Sequence, residues 1–377
     1  MNKKKILCFC LALGAFSAMM AQETLSLSQC LQMAVDNNLS LQKSRNEIAK
    51  GKYSISENQA KLLPQINAVA QLNDNFTPPV SVTDGSAYGK PYNVTKTLQY
   101  NASAGLQLQM PLYNQMVNTA IDIAKIADHL NQLSYEKARE DLIVQTAKMY
   151  YMAQNTAEQI RLVNDNIKRL EELYGITQAF YDNQMTLEVD VKRVKLNIEN
   201  LTVQRDNAIA MLDQQYTMLK YVIDYPADKQ IKVSEVNPGE IETVNANGLN
   251  TNLYELQLLE KRKELAQKQT QLAKDGYLPS VSLTGSLMYS AFTDKIEHWI
   301  HSGESNHWYG SNGIGIQLRV PVFDGFEKRS KIRRAKMEEE NARIGYEDAL
   351  KGMQANYMNA VSEVNNSQRN YKKQFDN

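Results

Sequence analysis

The residues of this 377-residue chain best suited to chemistry are histidines. His298, His301 and His307 stand close together, with Glu297 and Glu304 beside them. Imidazole and carboxylate groups at that density can ligate zinc or copper. Their spacing matches no metal motif, however, and the segment lies between two strand-like runs, so it reads first as a polar loop. The fourth histidine, His129, falls inside a helical stretch. There is no phosphate-binding loop, no Gly-x-Ser-x-Gly and no His-Glu-x-x-His. No residue is assigned a catalytic, cofactor or metal role, and the chain is expected to be neither an enzyme nor cofactor-dependent. Cys8 and Cys10 lie in the apolar start, leaving Cys30 alone, which reads as an ordinary helix-face residue.

Charge and hydropathy narrow the class. Lys and Arg number 42 against 42 Asp and Glu, a balance that argues against nucleic acid as a partner. Mean hydropathy is −0.48, too polar for a bundle of membrane helices. Lys3, Lys4 and Lys5 precede an apolar run from Ile6 to Met20, with a cut expected at Ala21-Gln22. Residues 1–21 therefore read as a secretory signal peptide. An exported chain without a spanning helix is soluble, surface-attached or a β-barrel.

The elements that would position any site come in a repeated order. Leu25 to Leu63 is helical in pattern, with Leu27, Leu31, Ala34, Val35 and Leu41 on one face, Ser26 or Ser28 as cap and Pro64 as stop. Ile66 to Leu72 then alternates, a polar loop covers Thr77 to Lys96, and alternation returns from Leu98 to Met110 before Pro111. Leu112 to Tyr174 contains neither Gly nor Pro; roughly 60 helical residues would reach about 90 Å. Gly175 is the expected turn of a long antiparallel hairpin. Its returning helix carries a heptad seam: Leu187, Val191, Val194, Ile198, Leu201, Arg205, Ala208, Leu212, Gln215, Leu219 and Val222. A linker follows from Asp224 to about Glu242. The order then restarts: helix Leu249–Ala273, a strand through Val281–Ala291, a loop Thr293–Gly310, a strand through Ile314–Val322 and a long helix. The basic run Lys328 to Lys336 reads as that helix's solvated start, paired with Glu338 to Glu340.

"GLQLQMPLYN" from Gly105 and "GIQLRVPVFD" from Gly315 lie about 210 positions apart, and Pro64 and Pro279 about 215. The spacing indicates an internal duplication, with a first repeat over 22–240 and a second over 241–377. By that offset the second hairpin would run to about residue 435, so the second repeat is expected to stop before its turn, either as a truncated product or as a fragment.

The strands share one chemistry. Leu, Ile, Val, Ala and Tyr occupy one face. The other carries Gln99, Asn101, Ser103, Gln107 and Gln109 in the first repeat, and Ser282, Thr284, Ser286, Gln317 and Arg319 in the second. A soluble sheet would set its apolar face on a core; a membrane barrel would set it on lipid, with the polar residues facing the lumen. Strand length and the aromatics Tyr88, Tyr92, Tyr100, Tyr289, Phe292, Trp308 and Tyr309 near the loop ends favour the barrel. Four strands cannot close, so several chains must share one barrel: two would give a filled lumen, three a conducting one.

The duplicated plan, "LSLSQCLQMAVDNNLSL" near the start, the twin "LPQI" and "LPSV" strand openings, and "MPLYN" with "VPVFDG" resemble the TolC-type outer-membrane efflux channels over residues 24–377. The resemblance implies a mainly α fold with a small β part. It implies a homotrimer whose twelve strands form a barrel in outer-membrane lipid and whose helices form a periplasmic tunnel. It further implies docking to an inner-membrane transporter through a periplasmic adaptor. Gly175, Asp182, Thr186, Leu187 and Asp190 match the tip that meets the adaptor; the family's acidic constriction belongs to a second tip beyond Asn377. The expected function is passive export of small molecules or secreted substrates. The alternatives are a soluble periplasmic coiled-coil scaffold with a small β-domain and a metal-binding surface protein using the histidine loop.

Overall fold

A computed structural model describes residues 23–235, 248, 250, 252–295, 297 and 308–375. The leader expected at 1–21 and the loop histidines lie outside them. The chain forms two compact units, one drawn from Met1–Glu47, Gln132–Tyr254 and Gln354–Asn377, the other from Ile48–Asn131 and Glu255–Met353.

In the first unit, β1 (Glu23–Leu25) leads into α1 (Leu27–Asn37). Ser26 caps that helix: its hydroxyl accepts from the Gln29 N–H at 3.3 Å, and the Gln29 amide oxygen accepts from the Ser26 N–H at 2.9 Å. The single helix expected to Leu63 is in fact divided at Asn38, whose backbone is extended at φ −61° and ψ 121°. The side chain explains the break. Its oxygen accepts from the Ser40 N–H at 2.9 Å, starting α2 (Leu39–Ala60), while its nitrogen donates to the Val222 carbonyl at 3.1 Å.

The long helices are α3 (Gln115–Asp182) and α4 (Glu188–Ile223). Gly175 does not interrupt α3, and nothing lies within 4 Å of where its Cβ would stand. A glycine costs about 1 kcal/mol in a helix, too little to break one held along its length by packing. The turn falls instead just after Asp182, where Gln184 adopts φ 60° and Met185 N–H donates to the Phe180 carbonyl. The heptad seam holds. Val191, Ala208, Leu219 and Val222 are buried, and Val194, Ile198, Leu201, Arg205, Leu212 and Gln215 are half-buried. Leu187, which precedes the helix, is exposed. Along α3, Thr146, Tyr150, Ala153, Thr156, Val163 and Ile167 are buried at matching steps.

The stretch expected to be a plain linker contains β6 (Ile231–Val233), which pairs in parallel with β1. Its alternation of buried Ile231 and Val233 around exposed Lys232 is too short to stand out in sequence. These two strands close a core of Leu25, Cys30, Ala34, Tyr150, Ala153, Leu219, Ile223, Ile231 and Val233. Cys30 is fully buried there, and burial pushes its thiol up to about 11. Tyr150 ties the strands to α3. Its hydroxyl donates to the Leu25 carbonyl and accepts from the Ser234 N–H, both at 3.1 Å. Tyr150→Phe should lower stability by about 1 kcal/mol, read from the denaturation midpoint. The loss stays small because the Ser234 N–H keeps a second acceptor, the Leu25 carbonyl at 3.2 Å.

In the second unit, β2 (Gln65–Asp74), β5 (Tyr100–Tyr113), β7 (Ser280–Thr293) and β8 (Trp308–Arg319) form one antiparallel sheet in the order β2-β5-β7-β8. The expected loop at 77–96 holds a hairpin of its own, β3 (Val80–Asp84) with β4 (Tyr92–Lys96), turning through Gly85 and Gly89. Pro111 does not close β5; the strand passes it to Tyr113 with a register shift, an irregularity that tolerates the missing N–H. The helix α5 (Tyr254–Asp275) precedes β7, and α6 (Glu327–Phe375) follows β8 after Gly325 and Phe326, both at positive φ. Arg334 pairs with Glu338 across one turn of α6, as the charge pattern predicts.

Candidate functional site

The sheet is the candidate site, and its register shows why. Ladder partners lie on the same face of a sheet. Asn101 aligns with Asn73 and Phe292; Ser103 with Gln71 and Ser290; Gln107 with Asn67 and Ser286; Gln109 with Gln65 and Thr284. Farther along, Ser286 meets Gly313, Thr284 meets Gly315, Ser282 meets Gln317, and Ser280 meets Arg319. All the strand residues expected on the lumen side therefore share one continuous face. Gln99 lies just outside β5, where its amide donates to Asp74 at 2.9 Å.

The opposite face is as consistent. Ile66, Ala68, Ala70 and Leu72 align with Leu108, Leu106, Ala104 and Ala102, then with Gly285, Leu287, Tyr289 and Ala291 on β7; on β8, Ile314 meets Gly285 and Ile316 meets Leu283, with Asn312 opposite Leu287 as a polar member. A soluble β-domain would bury this face. Here Ile66 is 66% exposed, Leu72 62%, Leu106 46%, Ile314 77% and Ile316 72%. An apolar face of that extent marks a surface made for an apolar environment. The strands at both ends of the sheet, β2 and β8, are edges and so present unpaired backbone groups.

Aromatics gather at one end of the sheet: Tyr100 faces Thr293, Trp308 faces Ala291, and Tyr309 faces Ser290, with Tyr289 and Phe292 in adjoining rows. The sequence reading missed a second group, at the strand–helix junction. Tyr113, Tyr277, Phe323 and Phe326 are all exposed there. Phe323 and Phe326 stack edge to face at 5.6 Å, and the Lys328 ammonium sits over the Tyr277 ring at 5.8 Å while pairing with Asp324 at 3.0 Å. That pairing holds the Asp324 carboxyl below its usual range. The clue was available: these aromatics flank the Pro and Gly residues that punctuate the strand ends.

The expected tip residues do not form one cluster. Gly175 lies within α3, Asp182 is its last residue, and Leu187 is the N-cap of α4. Thr186 and Leu187 both meet Asp190: the Thr186 hydroxyl donates to its carboxylate at 3.1 Å, and the Leu187 carbonyl accepts from its N–H at 3.0 Å. Glu188 and Asp190 occupy the first turn of α4, where carboxylates favour the helix dipole. Asp190 also pairs with Arg193 at 3.6 Å. Among the described residues there is no cluster of potential metal ligands, and no helix is long and apolar enough to cross a membrane. His298, His301, His307 and Glu304 fall outside the described residues.

A family model described as outer membrane efflux protein matches residues 30–219 and 250–374. The chain belongs to the outer membrane efflux protein family. It is 23% identical over 367 residues to the outer membrane protein TolC of Escherichia coli, covering 95% of this chain and 71% of TolC. Two solved structures share the fold. The outer membrane protein VceC of Vibrio cholerae superposes with a TM-score of 0.69 at 16% identity, over 91% of this chain and 79% of VceC. The CmeC outer membrane channel of Campylobacter jejuni gives 0.65 at 18%, over 92% of this chain and 74% of CmeC. The family is one of channels rather than enzymes, and it places the chain in the outer membrane.

Proposed function

We propose that three copies of this chain join their β2 and β8 edges into a twelve-stranded barrel that serves as an export conduit. The observation that carries the reading is the sheet with two unlike faces and two open edges. Its exposed apolar face suits hydrocarbon, and its other face, rich in amides, hydroxyls and glycines, suits water. β5 has 14 residues, about 47 Å of strand; tilted by about 40° it would cover about 35 Å, enough for the apolar core. The two aromatic groups fit the two interfaces of such a band.

The long helices would extend into the periplasm. The α3–α4 turn, with Asp182, Thr186, Leu187 and Asp190, would meet a periplasmic adaptor that links the conduit to an inner-membrane transporter. Energy would come from that transporter. Small molecules and secreted substrates both suit a water-filled lumen.

Carbonate extraction followed by planar-bilayer recording tests the reading. The protein should stay with outer-membrane vesicles in carbonate, dissolve only in detergent, and conduct ions once reconstituted. Release by carbonate alone would instead favour the periplasmic scaffold.

A further inference from the structure

We propose that Arg319 and Lys61 form a positively charged collar at the helix end of the sheet, one that favours the passage of small anionic solutes; this rests on the conduit reading above. The polar face is otherwise uncharged. Along its rows run Gln65, Asn67, Val69, Gln71 and Asn73 on β2, and mostly amides, hydroxyls and glycines on the other strands, with Met288 and Phe292 among them; Arg319 is its sole ionic side chain among the described residues. Arg319 stands in the last row, opposite Ser280. Lys61 joins it from the turn before β2. Both line a single concavity of about 280 Å³ together with Gln65, Gln109, Ser282 and Gln317.

Neither charge is neutralised. Lys61 donates to the Asn58 amide oxygen at 2.9 Å, a neutral partner, and no ion pair joins Lys61 or Arg319 to a carboxylate among the described residues. The acids near the junction are already spent: Asp324 pairs with Lys328 at 3.0 Å and Glu327 with Lys331 at 2.6 Å. The amides, hydroxyls and two cations of this concavity, set beside Pro111, Tyr113, Val117 and Val281, offer donors and charge to an oxyanion or carboxylate. Three copies would place six positive charges around one aqueous passage. A low-dielectric wall lined with one sign of charge raises the local concentration of counter-ions.

Reversal potentials in a KCl gradient across planar bilayers test this. Neutralising both groups (Arg319→Gln with Lys61→Gln) should lower the chloride-to-potassium permeability ratio by about threefold. The difference should shrink as salt rises, because the screening length falls from about 30 Å at 0.01 M to about 10 Å at 0.1 M. Arg319→Lys, which keeps the charge, should leave the ratio unchanged. Conductance with the same ratio in the original and doubly neutralised proteins would overturn the collar while leaving the conduit intact. A folded, membrane-inserted original chain that does not conduct would overturn the conduit, and the collar with it.

Discussion

Leu106→Arg and Ile316→Arg should each abolish insertion into the outer membrane, whereas Gln107→Arg and Gln317→Arg should be accepted. The residues of each pair are neighbours in sequence, so side-chain size and strand position are nearly constant. What changes is the face, because successive residues of a strand point to opposite sides. Leu106 aligns with Ala68 and Leu287, and Ile316 with Leu283, all on the apolar face. Gln107 aligns with Asn67 and Ser286, and Gln317 with Ser282. An arginine facing lipid near the bilayer midplane costs about 2–4 kcal/mol, and a trimer would bear it three times, about 6–12 kcal/mol per particle. Detergent-extracted, heat-modifiable protein in the outer-membrane fraction is the measure. It should fall at least about tenfold for the first pair and stay near normal for the second. Equal tolerance would mean that neither face touches hydrocarbon.

Gly105→Val should prevent the sheet from forming. A Cβ on Gly105 would stand 2.1 Å from the Leu287 carbonyl oxygen and 2.8 Å from the Met288 Cα, both main-chain atoms that cannot swing aside. The strands must separate, and the pair they form, β5 with β7, is the central one of the four-stranded sheet. The penalty should exceed about 4 kcal/mol, the range of severe backbone and packing lesions. Gly313→Ala is the matched control, since nothing lies within 4 Å of its added methyl group. It should assemble normally, while Gly105→Val should leave protease-sensitive chain outside the membrane fraction.

Much of the architecture was legible because it rests on long, uniform patterns. The period-two runs of β5 and β7 announced both strands and both faces, and the register put nearly every polar candidate on one side. The α4 seam was legible for the same reason: its half-buried Arg205 and Gln215 sit at the predicted steps. What escaped were features set by single side chains or by short partners distant in sequence. Gly175 looked like a turn because glycine is a poor helix former, but seam packing along α3 and α4 outweighs one propensity. Asn38 breaks a convincing helical pattern by bonding Ser40 on one side and Val222 on the other, and the second bond depends on tertiary structure. β6 is three residues long and exists because β1 lies beside it, across 208 positions of chain. Pro111 looked like a strand end because sequence cannot show that the ladder is irregular at that point.

The account stands on sister copies completing one wall, and native mass spectrometry of protein extracted from outer membranes tests that most directly. It should find particles of three chains, since three four-stranded sheets close a conducting barrel with no edge left unpaired. Particles of a single chain, stable in detergent with β2 and β8 still open, would contradict it.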